Sequence, residues 1–125
     1  MDDDARAGLA ARGIALGRVA IGAGATLAPG LVGRVQFGAT SQAQRITVRM
    51  LGARDLALGI GALLAVRQGS SDLRRWVEAG AFADAVDAVA FLRADHGALR
   101  RRGLTALIAG GSAAVSVWAA RTLGD

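Results

Sequence analysis

The sequence predicts an all-α fold, an integral membrane four-helix up-and-down bundle forming a single domain over residues 1–125. Three observations predict it. Four apolar stretches, residues 13–32, 46–66, 73–92 and 103–120, each approach the ~20 residues that cross a hydrocarbon core. The apolar mass is small: hydrophobic residues make up 53% of the chain, aromatics only 4%, and there are 18 glycines. Such residues let helices approach closely in lipid, where there is little hydrophobic drive to join them. Arginines gather at the ends of the stretches, the ordinary flanking pattern of a membrane protein. A soluble bundle would carry a charged face along every helix, and the first and fourth stretches have none.

Composition excludes several kinds of chemistry. Cysteine is absent, so no disulfide, thiol nucleophile or cysteine-bound metal is possible. The single histidine, His96, rules out histidine-rich metal or haem sites. No metal and no cofactor is expected. Ser112 and Ser116 have no His or Lys nearby in sequence, so no catalytic set is expected and the chain does not read as an enzyme. All 15 basic residues are arginine, which a GC-rich genome explains. The net charge of +5 suits nucleic acid, but the arginines form no continuous face and have no aromatic interleaving. The expected surroundings are the lipid bilayer of the plasma membrane, with assembly into homo-oligomers or a larger membrane complex.

Taken in order, residues 1–12 are polar and open Met-Asp-Asp-Asp, unlike the positive start of a secretory signal. In the first stretch the lone charge is Arg18, close enough to the end to snorkel. Gly13, Gly17, Ala20 and Gly24 recur at helical spacing and offer a smooth face to a neighbour. Pro29-Gly30 closes the helix, and residues 33–45 form a polar connection. In the second stretch Gly52, Asp55, Gly59 and Ala62 share one face. A short turn around Gly69-Ser70-Ser71 makes the second and third helices antiparallel neighbours. In the third, Trp76, Gly80, Asp84, Asp87 and Phe91 fall on one face, while Arg74 and Glu78 form a local i,i+4 pair. Residues 93–102 are a basic connection, with His96 exposed and Arg100, Arg101 and Arg102 marking the membrane edge. The fourth stretch is uncharged, with Ala106, Gly110 and Ala113 on one side. Six arginines fall on each side of the membrane, so the positive-inside rule does not orient the chain. Arg6, Arg12 and Arg18, preceding or opening the first stretch, favour cytoplasmic termini.

The candidate site is a layer of charge inside this apolar frame. Arg49, Arg54 and Asp55 lie in the second stretch, and Asp84 and Asp87 in the third. Two central aspartates cost roughly +5 to +7 kcal/mol on the insertion scale, and the apolar side chains of the third stretch return only about −2 to −4 kcal/mol. Its carboxylates need a partner, and the second helix is expected to be its only central supplier. Reflected about the turn, Arg54 falls level with Ala85, between Asp84 and Asp87, and Arg49 nearly a turn beyond Asp87. Arg54 is the natural bridge, because its planar fork holds a carboxylate bidentately. Two positive charges meet three negative ones, leaving −1 if all are ionised. The unbalanced carboxylate is expected to attract a proton or a cation. Two readings stand together: a lock between helices, or a proton or small-ligand site.

Arg54-Asp55-Leu56-Ala57-Leu58-Gly59, followed by Asp84-Ala85-Val86-Asp87-Ala88, resembles small bacterial four-helix membrane proteins of unknown function related to the DoxX-like group. The resemblance implies an up-and-down four-helix membrane fold and an actinobacterial-type origin. It implies no settled activity, and it carries Arg54, Asp55, Asp84 and Asp87 over as the important positions. A small multidrug transporter of similar length would place a working glutamate in its first helix, and no carboxylate stands there.

Overall fold

The computed structural model describes residues 3–38, 40–67, 70–93 and 99–122, with side chains at all of these except 4, 37, 70, 71, 91, 99–107 and 109. The expectations for His96 and for the Phe91, Arg100, Arg101, Arg102 and Ala106 side chains therefore lie outside the described residues. Among the described residues the fold is all-helical, with five helices rather than four: α1 (Asp3–Leu27), α2 (Pro29–Phe37), α3 (Gln42–Ala65), α4 (Ser70–Arg93) and α5 (Leu99–Thr122).

The additional helix comes from Pro29. The expected first span, 13–32, breaks at Ala28, whose φ of −129° and ψ of 55° leave the helical region. Proline lacks a donor, crowds the carbonyl four residues back and disfavours helix at the residue before it. It suits the first turn of a helix, however, so Pro29 opens α2 instead of closing a span. The two segments meet at a bend of 108°. The expected connection over 33–45 shrinks accordingly. α2 ends at Gly38, where φ is 89°, a left-handed conformation that glycine adopts without strain. α3 starts at Gln42 because Ser41 and Gln44 form a reciprocal capping box: Ser41 Oγ accepts from the Gln44 amide at 3.1 Å, and the Ser41 amide donates to Gln44 Oε1 at 2.7 Å. α5 likewise starts before the expected 103, so its backbone includes the three consecutive arginines.

The four long helices form a ring of antiparallel neighbours. α1 packs closely on α3 and α4 on α5, while α3·α4 and α1·α5 are thinner seams. The α3–α4 hairpin has the expected register, with Arg54 opposite Asp87 and Gly61 against the ring of Trp76. At the end of the bundle that carries Trp76 and Trp118, the core is built almost wholly from small residues: Ala7, Ala11 and Ala15, Ala62 and Ala65, Ala119 and Ala120, joined by Leu73 and Val77.

α1 meets α3 through glycine: on α3 through Gly52 and Gly59 of the expected face, but on α1 through Gly22 rather than the expected Gly13, Gly17 and Gly24. A Cβ on Gly22 would lie 2.5 Å from the Leu56 amide nitrogen, one on Gly52 2.8 Å from that of Thr26, and one on Gly59 2.7 Å from the Ala15 carbonyl. Gly13, Gly17 and Gly24 face open space, and so does Gly110 on α5. The packed face of α1 is Ala7, Ala11, Ala15, Arg18, Gly22 and Ala25, at steps of three and four.

Among the described residues no single helix is long and apolar enough to cross a membrane; only the bent pair Ala5–Leu27 and Pro29–Gln36 reaches that length and apolarity together. The four expected spans therefore do not stand as four independently apolar helices. The physical reason in α3 and α4 is the charge they carry: Arg45, Arg49, Arg54 and Asp55 in one, and Asp72, Arg74, Arg75, Glu78, Asp84 and Asp87 in the other.

Candidate functional site

Three helices bring five charged side chains into one continuous chain of hydrogen bonds. On α1, Arg18 Nη2 donates to Asp84 Oδ2 at 2.6 Å and to the Gly80 carbonyl at 2.9 Å, both on α4. Arg18 Nη1 donates to Asp55 Oδ1 of α3 at 3.0 Å. That same oxygen accepts from Arg54 Nη2 at 3.1 Å. Arg54 then grips Asp87 with both ends of its fork, Nη1 to Oδ1 at 3.0 Å and Nη2 to Oδ2 at 2.7 Å. The order is Asp84, Arg18, Asp55, Arg54, Asp87, alternating in sign with a carboxylate at each end. Every link is charge-assisted, the stronger class of hydrogen bond.

The bridge predicted for Arg54 is present, and the expected inner face of α4 is confirmed at Gly80, Asp84 and Asp87. Arg74 also pairs with Glu78, its Nε donating to Oε1 at 2.8 Å. Arg49 is placed elsewhere. It is exposed, and its Nε donates to the Thr26 carbonyl at 3.2 Å. α1 stops at Leu27, so that carbonyl lacks its helical donor, and Arg49 supplies one. The expected five-residue layer loses Arg49 and gains Arg18.

Arg18 was not legible as a site residue because it lies near the start of the apolar stretch, where an arginine can reach back to the interface. In the folded chain α1 begins at Asp3, so Arg18 stands deep within the helix. Its side chain is 10% exposed, which excludes snorkelling, and it crosses between α1 and α4, which occupy opposite corners of the ring. The second helix is thus not the sole central supplier of positive charge. Arg18 falls in line with Ala11, Ala15 and Gly22, and only the fold shows that this is the packed face of α1. Gly80 completes the arrangement: a Cβ there would lie 2.9 Å from Arg18 Nη2, so a side chain would crowd the guanidinium.

Replacing Arg49 by Arg18 leaves the formal balance unchanged, with two guanidiniums against three carboxylates and a residual −1. The chain of charges borders a partly open cavity of about 200 Å³, lined by all five residues and, on its apolar side, by Ile21, Val48, Leu51 and Ile108. Among the described residues Asp84 Oδ1 and Asp55 Oδ2 accept no hydrogen bond. Arg54 Nε, Thr26 Oγ1 and Ser116 Oγ are buried without a partner among the described residues. The described residues contain no group of three or more His, Cys, Asp or Glu side chains arranged to hold a metal ion.

No protein-family model matches the chain, and neither the curated proteins nor the solved structures contain a significant match to it.

Proposed function

We propose that the chain is a small multi-pass protein of the plasma membrane, whose inward Arg–Asp layer locks its helices together and which serves as a structural or accessory subunit. The supporting observation is that polarity and size are both inverted relative to a water-soluble bundle. Some charge lies inside, with Arg18 and Asp84 both buried and Arg54, Asp55 and Asp87 half-buried, while the other charges, such as Arg45, Arg75 and Glu78, stay exposed. The large apolar side chains lie outside: Leu27 is 82% exposed, Phe82 72% and Met50 67%, with Leu16, Ile21 and Ile60 also exposed. Leu or Phe burial supplies about 1.5–3 kcal/mol per side chain in water, and this interior of alanines forgoes most of that. In lipid the same choice is favourable: small residues bring backbones together, and inward ion pairs are the tolerated form of membrane charge.

This reading also accounts for the polarity of α3 and α4. Each carries charges too costly to insert unpaired. Joined to Arg18 and Arg54, the carboxylates are neutralised within the bundle, so the helices enter lipid together. Four long helices place both termini on one side, taken as the cytoplasmic one. The DoxX-like resemblance of residues 54–59 and 84–88 belongs to the same proposal, as does assembly with further copies or a larger complex.

The test is extraction of isolated membranes with alkaline carbonate. The protein is expected to stay in the pellet, and release into the soluble fraction would sink the membrane assignment. A second reading, favoured by the cavity and the residual negative charge, is that the layer also holds a proton or small ligand at Asp84 or Asp87, as a carrier or binder would.

A further inference from the structure

We infer that the cavity beside Asp84 binds a small organic cation, with an ammonium group on Asp84 Oδ1 and a compact apolar body among Ile21, Val48, Leu51 and Ile108. This rests on the second reading above, that the layer holds a ligand, and adds the ligand's chemical class.

The argument starts from hydrogen-bond supply. The Nη atoms of Arg18 and Arg54 are all engaged by carboxylates or by the Gly80 carbonyl. None of their bonds goes to the second oxygen of Asp84, and the unpaired Arg54 Nε is not bonded to it either. Asp87 has both oxygens filled by Arg54, and Asp55 stands between two guanidiniums. Asp84 contacts Arg18 alone and through one oxygen only. Its other oxygen is unpartnered, although the residue is only 7% exposed and lines the cavity. That oxygen is not sealed off like Arg54 Nε or Ser116 Oγ but is reachable from the cavity, so an occupant that donates hydrogen bonds has an acceptor there.

Charge selects among donors. Among the described residues the groups facing Asp84 are Arg18 from α1, Arg54 and Asp55 from α3, and Asp87 from its own helix, with Ile108 and Ser112 lining the cavity from α5. The set carries a residual −1. A neutral alcohol supplies a donor but leaves that charge, and an anion adds to it. An ammonium supplies both a donor and the missing positive charge. A bare divalent ion is disfavoured, because hard cations take six to eight oxygens, about 2.3–2.6 Å away for calcium, and the described residues form no such group. Volume sets the size. At about 200 Å³ the cavity exceeds the ~150 Å³ that accommodates benzene, so an aromatic ring with a short aminomethyl arm fits.

Benzylammonium is the probe, with benzyl alcohol and benzoate as its neutral and anionic counterparts. Each is titrated calorimetrically into the purified full-length protein in detergent. Benzylammonium is expected to bind one per chain, roughly tenfold or more tighter than either counterpart. Asp84→Asn is expected to remove that advantage without changing benzyl alcohol binding. Ser112→Phe leaves every charge in place and fills the cavity from α5. It is expected to abolish binding of the amine, and it carries the test if Asp84→Asn does not fold. Equal binding of amine and alcohol, or amine binding unchanged by Asp84→Asn, overturns the assignment. If the alcohol or benzoate binds instead, and Ser112→Phe blocks it, the cavity is a ligand site and the cation class is wrong. If none of the three binds to protein that is monomeric and helical, the ligand reading itself falls.

Discussion

Arg18 joins two other helices through three hydrogen bonds from a side chain only 10% exposed. Removing it leaves Asp84 without a charged partner and Asp55 with Arg54 alone. Breaking a buried pair by deleting one partner costs about 3–5 kcal/mol, because the remaining charge is uncompensated. Arg18→Ala should therefore lower stability by about that much in a denaturant titration of the detergent-solubilised protein. Arg49→Ala removes one exposed hydrogen bond and should cost about 1 kcal/mol. Equal losses for the two variants would mean that the charged layer is wrongly assigned. Gly80→Ala should also destabilise. Alanine gains up to about 1 kcal/mol in helix propensity, but the added Cβ displaces a guanidinium held by bonds of about 1.5–3 kcal/mol each.

α1 shows how much a helix can conceal along its own length. It carries two series of small residues, and only the one through Ala7, Ala11, Ala15, Gly22 and Ala25 is buried. Gly22 faces the α3 backbone, so growth at the α1–α3 contact is resisted by main chain rather than by movable side chains. Gly52→Ala on α3 should cost about 2 kcal/mol or more despite its propensity gain, since backbone displacement is expensive in a packed interior. Gly17→Ala, in open space, should be neutral or stabilising by up to about 1 kcal/mol. Thermal melts of the two variants followed by circular dichroism check this, and the reverse order would mean that α1 packs through its other face. Helical spacing was readable for both series, since each repeats every three or four residues. Which of them met a neighbour depended on the rotation of α1, and no local signal sets that. The break at Ala28 was half readable: proline marked a boundary, but its suitability for a first helical turn let a new helix follow at once.

Across the molecule, α1 with α3 and α4 with α5 form two close pairs joined by thinner seams. The charged chain crosses from the first pair to the second at Arg18–Asp84 and Arg54–Asp87. A chain cut between Arg67 and Ser70 and expressed as two fragments should therefore reassemble and copurify. Arg18→Ala with Arg54→Ala in the first fragment should abolish copurification. Retention by the doubly substituted fragment would show that apolar packing alone joins the pairs.

Sequence by itself determined the helical class, the antiparallel α3–α4 register and the presence of Arg54, Asp55, Asp84 and Asp87 at one level. Those properties follow from local periodicity and a short turn, which act over a few residues. Only the tertiary structure decided that Arg18 completes the layer and that Arg49 caps α1. Both outcomes depend on how far α1 extends and which way it is rotated against α3, and contacts between residues far apart in sequence set those. The residual negative charge survived the exchange of one arginine for another. What the fold added is its position: beside a cavity, on a carboxylate whose second oxygen has no partner among the described residues.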